Sequence, residues 1–111
     1  MSTSSPDLQP GPAVVVVVEQ EIRFSLLELG RACDADGGQL LTLVAEGVLS
    51  PSGEGEAQWS FDGSALRRAR RALRLARDLE LRLVDTALVL DLLDEIERLK
   101  SRLRRLGAGP G

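Results

Sequence analysis

The C-terminal part of this sequence repeats apolar residues at the interval of a helical seam. Val89, Leu92, Ile96, Leu99, Leu103 and Leu106 follow one another at steps of three, four, three, four and three, the heptad rhythm in which one stripe of a helix faces a partner. The spacing predicts a last helix of roughly Leu83 to Leu106. A chain of 111 residues has too little mass to cover a protruding stripe of that length. The expectation is a two-fold symmetric homodimer with those six residues as its interface. The alternative is a helix that folds back on its own domain.

Upstream, short elements follow closely. Ala13 to Arg23, with five consecutive valines and then charged residues alternating around Gln20 and Ile22, suits a strand. Ser25 and Glu28 form a capping box for a first helix whose apolar face is Leu26, Leu27 and Leu29, ending near Cys33. Asp34 to Gly38 is the turn, and Asp36 is the N-cap of a second helix that carries Leu40, Leu41, Leu43 and Val44 and ends at Gly47. Val48–Pro51 and Trp59–Phe61 flank a Gly/Glu-rich loop in the arrangement of a β-hairpin wing, with Trp59 and Phe61 on one side. Asp62 caps a third helix, with Leu66, Ala69, Leu73 and Ala76 as the apolar stripe and Arg67, Arg70, Arg71, Arg74 and Arg77 opposite. The expected division is a disordered tail over 1–12, a head domain over 13–82, the dimerisation helix over 83–106 and a second tail over 107–111.

Charge is segregated along the chain. Residues 1–62 hold ten acids against two bases, Arg23 and Arg31, whereas residues 63–111 hold twelve bases against seven acids. The first half has the outline of a winged helix-turn-helix and the wrong sign for DNA, because a duplex is held through Lys and Arg that displace its counterions. The arginine stripe of the third helix is the feature that favours a polyanion; its bland counterpart is a solvated helix face.

The absence of histidine and the single cysteine, Cys33, exclude tetrahedral zinc sites, CxxC pairs, disulfides within the chain and catalysis with an imidazole base. No enzymatic activity, metal or cofactor is expected. The longest apolar run, Val14–Val18, is too short to span a bilayer and has no basic region before it. With a free thiol, this points to the cytoplasm.

The order of these elements resembles the MerR-like winged helices and, within them, the CbpM family of chaperone modulators. The resemblance covers about residues 15–104 and is carried by Phe24–Leu29, Val44–Leu49, Trp59–Asp62, Arg74–Leu81 and Leu90–Lys100. It implies a mainly α fold with a short β-hairpin wing and a long C-terminal dimerisation helix. DNA-binding MerR proteins carry an Arg and an aromatic in the second helix and an Arg in the wing. The matching positions here are Leu41, Thr42, Leu43 and Trp59, which cannot make those charged backbone contacts.

What the resemblance implies is an inhibitor that binds the J-domain of a DnaJ/CbpA-type co-chaperone and blocks its stimulation of Hsp70 (DnaK). J-domains carry a basic helix, so acidic residues are the candidates for contact. Asp85, Asp91, Asp94 and Glu95 around the last helix come first, and Asp34, Asp36 and Glu46 on the head come second. The alternative is a dimeric MerR-like regulator that meets DNA with its arginine stripe, and a third class is a dimerisation module whose seam pairs with another protein.

Overall fold

Ser25 and Asp36 each start a helix by the same local exchange of hydrogen bonds. In the computed structural model, which describes Glu19 and residues 21–107, the Glu28 amide donates to Ser25 Oγ at 3.1 Å and the Ser25 amide donates to Glu28 Oε1 at 2.8 Å. This box opens α1, Leu26–Cys33. The backbone amide of Ser25 and its hydroxyl hold the Glu28 carboxyl below its ordinary range. Asp36 and Gln39 repeat the pattern at 2.8 and 3.1 Å and open α2, Gly37–Ala45. The second box shortens the expected turn: Gly37 and Gly38 belong to the first turn of α2. Gly47, at φ 80°, then reverses the chain after α2, and the Val48 amide returns to the Leu43 carbonyl at 2.9 Å.

The strand expected over Ala13 to Arg23 takes a different form. Ala13 to Val18 lie outside the described residues, as do the two tails apart from Gly107, while Glu19 and Glu21 have helical backbone. Extended pairing begins at β1, Arg23–Phe24, which runs antiparallel to β2, Phe61–Asp62, with Phe24 opposite Phe61. A few alternating residues do not separate a strand from a helical turn. Here the chain at Glu19 is drawn onto the start of the third helix, where any side chain at Gly63 would crowd its backbone at 3.1 Å.

The wing is closed by one bridge, Ser52 with Ser60, through two 2.9 Å hydrogen bonds, and by a short 3-10 turn at Glu56–Gln58. Val48–Pro51 is unpaired and instead buries Leu49. Trp59 and Phe61 do share a side, with ring centroids 6.1 Å apart in an edge-to-face contact.

Asp62 Oδ1 accepts the Ala65 amide at 3.0 Å and starts α3, Gly63–Asp78. The most buried residues of α3 are Ala65, Ala69 and Ala72, with Leu66 and Leu73 only partly covered. The stripe is rotated from the expected Leu66–Ala69–Leu73–Ala76 because alanines allow α3 to lie close to Leu29, Leu40, Leu43, Leu49 and Phe61, which complete the core. After a corner with Glu80 in the left-handed region, α4 runs from Leu83 to Arg105. Thr86, Ala87 and Leu90 of α4 are buried against the domain. Beyond Leu90 the helix projects, and every residue from Asp91 to Lys100 is exposed.

Candidate functional site

The face on which a helix-turn-helix protein reads DNA is here without charge. The α2 sequence, Gly37 to Ala45, contains no acidic or basic residue. Of the four positions compared above, Leu43 is fully buried, Trp59 packs against the core, and Thr42 Oγ1 donates to the Gly38 carbonyl at 3.0 Å. Only Leu41 presents a sizeable part of its side chain to solvent.

The arginine stripe is largely engaged within the molecule. Arg67 donates to both carboxylate oxygens of Glu19, Arg70 donates to the Ala32 carbonyl at 3.0 Å, Arg71 pairs with Asp94 at 3.3 Å and Arg77 with Asp78 at 3.5 Å. Arg74 alone in the stripe has neither a hydrogen bond nor an ion pair among the described residues. It borders a small hollow of about 280 Å³ with Arg70, Arg77, Leu73 and Cys33. Burial pushes the Cys33 thiol up, and its Sγ donates to the Leu29 carbonyl at 2.9 Å.

The candidate carboxylates divide the same way. Asp85 is gripped by Arg82 at 2.8 and 3.2 Å, Asp94 by Arg71, and Glu95 by Arg98, whose hydrogen bonds hold the Glu95 carboxyl below its ordinary range. Asp91 has no ion pair among the described residues and faces a polar groove of about 320 Å³ with Arg68, Arg71 and Asp94. On the head, Asp36 is spent partly on its cap, and Asp34 closes α1 at φ 53° with its side chain exposed. Glu46 lies at the far end of α2 from both, about 14 Å away along nine residues. The head acids therefore form no single cluster.

The seam lies on the side of α4 turned away from Thr86, Ala87 and Leu90. Val89 is half-buried, and Leu92, Ile96, Leu99, Leu103 and Leu106 are 45–73% exposed. Leu88, 61% exposed, extends the same stripe toward the corner. It was missed because it falls one residue before Val89 and outside the heptad count. Leu27, expected with Leu26 and Leu29 on the apolar face of the first helix, is instead 63% exposed at the edge of a groove of about 660 Å³ between α1 and α2. A helical projection sets Leu27 about 160° from buried Leu29 but only about 60° from buried Gly30, so the sequence gives no clear sign of its exposure.

With this geometry in place, similarity to known proteins can be set beside it. Residues 24–107 match the family described as MerR HTH family regulatory protein. A chaperone modulatory protein CbpM of Coxiella burnetii (strain Dugway 5J108-111) is 34% identical over 91 residues, 82% of this chain and 86% of its own length. The chain belongs to the MerR-like CbpM family. CbpM proteins of Pseudomonas putida (strain W619) and Pseudomonas entomophila (strain L48) are 34% and 31% identical over 80 residues, 72% of this chain and 79% of theirs. The CbpM-family frame here is mainly helical with a two-stranded antiparallel sheet, a MerR-like winged helix-turn-helix. None of its described helices is long and apolar enough to cross a membrane.

Proposed function

We propose that this chain is a chaperone modulator that binds the J-domain of a DnaJ/CbpA-type co-chaperone and inhibits its stimulation of Hsp70, working in the cytoplasm as a homodimer and without catalysis of its own. The observation that carries this reading is the uncharged α2 on an acidic head: the element that would grip phosphates has nothing to grip them with. The printed names of the relatives, chaperone modulatory protein, point the same way. An acidic surface favours a basic protein partner and repels nucleic acid.

The dimer reading is supported by the exposed stripe of α4. Residues 91–97 hold four acids and no base, and residues 98–105 hold five bases and no acid. Two copies laid antiparallel bring opposite charges together, whereas a parallel pair stacks like on like. The heptad spacing reads the same from either end, so antiparallel pairing sets Val89 on Leu106, Leu92 on Leu103 and Ile96 on Leu99.

The test is calorimetric titration against an isolated J-domain at two salt concentrations, beside a duplex DNA titration. The expected result is saturable J-domain binding that weakens with salt and no DNA binding. Salt-sensitive DNA binding without J-domain binding would establish the regulator reading instead.

A further inference from the structure

Among the described residues, three surfaces stand out once the core and the small hollow at Arg74 are set aside: the apolar stripe of α4, the mixed-charge groove beside Asp91, and the groove between α1 and α2. The first is assigned to a second copy under the dimer reading above. The second is lined by Arg67, Arg68 and Arg71 as well as by Asp91 and Asp94, so it offers a basic partner no net attraction. The third differs from both.

Its walls come from Leu26, Leu27, Gly30 and Leu40, and its rim carries Asp34 and Asp36 with Arg31 as the one base. None of these three charged groups has an ion pair among the described residues. By contrast, Asp85, Asp94 and Glu95 on α4 are each held by an arginine. Leu27, at 63% exposure, is the large apolar side chain most open to solvent among the described residues of the head, and it borders these carboxylates, which no arginine holds. We propose that the α1–α2 groove is where the J-domain docks, taking a basic amphipathic helix whose apolar residue packs on Leu26 and Leu27 while its cations meet Asp34 and Asp36. This deepens, and rests on, the J-domain reading above.

Charge and shape select that occupant. A groove between two short helices accepts the apolar face of a third, and the anchor is an apolar side chain that excludes water from the neighbouring ion pairs. Nucleic acid is repelled by the rim, and a second copy of the head would bring the same carboxylates against it.

Asp34 supplies an unusually clean test. It occupies a left-handed position, φ 53°, that glycine takes without steric cost. Asp34→Gly therefore removes the carboxylate and relieves the backbone together, so stability and binding should move in opposite directions. The experiment titrates the J-domain into the full-length chain and into Asp34→Gly, Leu27→Glu and, on the other groove, Asp91→Lys, with thermal unfolding of each. The expected result is a melting midpoint that rises in Asp34→Gly while its affinity falls about 5-fold, a loss of about 30-fold or more for Leu27→Glu, and a change under about 2-fold for Asp91→Lys. Unchanged affinity in both head variants, with the parent chain binding, overturns the docking site and leaves the modulator reading standing; loss in Asp91→Lys alone moves the contact to α4 and also overturns it. Absence of binding by the parent chain overturns the modulator reading itself, and the site with it.

Discussion

Arg67 donates through Nε and Nη2 to the two carboxylate oxygens of Glu19, at 3.0 and 3.1 Å, joining groups 48 residues apart. The pair fastens the segment before β1 to α3, and it turns an arginine from a candidate phosphate contact into a structural clamp. The Glu19 side chain is 16% exposed and that of Arg67 64%, so only the carboxylate end of this pair is shielded from solvent. Arg67→Ala and Glu19→Gln should each lower unfolding free energy by ~1 kcal/mol, and a double-mutant cycle in urea should show the two losses overlapping. Strictly additive losses would mean that the two groups do not interact.

Phe61 is fully buried between β1 and α3, and its ring meets Trp59 edge-on. Phe61→Ala should cost about 3–5 kcal/mol, a large part of the roughly 5–15 kcal/mol that holds a domain of this kind together. Its urea unfolding transition should shift to a much lower midpoint or vanish. Trp59 fluorescence provides the readout.

Ile96 lies midway along the exposed stripe of α4. A glutamate there would place a charge in the seam at every copy, so Ile96→Glu should sediment as a monomer with its helical content retained. The direction of pairing is read by crosslinking in a Cys33→Ser background. Val89 and Leu106 are about 25 Å apart along the helix. An antiparallel pair should therefore form a disulfide between a Val89→Cys chain and a Leu106→Cys chain, and neither chain with itself. Self-linking of Val89→Cys would show a parallel dimer.

Acid should lower the stability of this protein. Asp62 is held below its ordinary range first by the Ser64 hydroxyl and then by backbone amides, and Glu28 by Ser25. Both carboxyls take up protons more readily when unfolded, so the stability they contribute is complete above about pH 5 and drains away as pH falls through their folded-state values. The chain has no histidine, so stability should be nearly flat from about pH 5.5 to 8. Asp62→Asn keeps a capping oxygen without a titrating group, and should make the acid limb shallower in unfolding measured at a series of pH values. An unchanged acid limb would place the titration elsewhere.

Much of the frame is legible in the sequence because its signals are local. Ser25 with Glu28, Asp36 and Asp62 start helices through hydrogen bonds that span three residues, and the α4 seam declares itself by period. The site is less legible. Seven acids are candidates by composition alone; Arg82 and Arg98, three residues from Asp85 and Glu95, mark those two pairs, but nothing near Asp94 names the arginine that holds it. For Asp94 the partner is Arg71, 23 residues away on another helix. The same holds for the arginine stripe, which as a sequence pattern is a polyanion site and as a structure is mostly a set of internal clamps.

The sequence by itself determined where α1, α2 and α3 begin, that a long helix with an apolar stripe follows, that the head is acidic, and that α2 lacks any phosphate-gripping side chain. Those are properties of residues within a few positions of each other, where backbone amides and side-chain spacing act directly. The tertiary structure alone decided that β2 pairs with β1 instead of completing the wing, that alanines instead of leucines line the closest approach of α3, which charges are cancelled, and that Leu27 stands open beside Asp34. Those outcomes follow from close packing across tens of residues, where each side chain's surroundings are set by every other element at once.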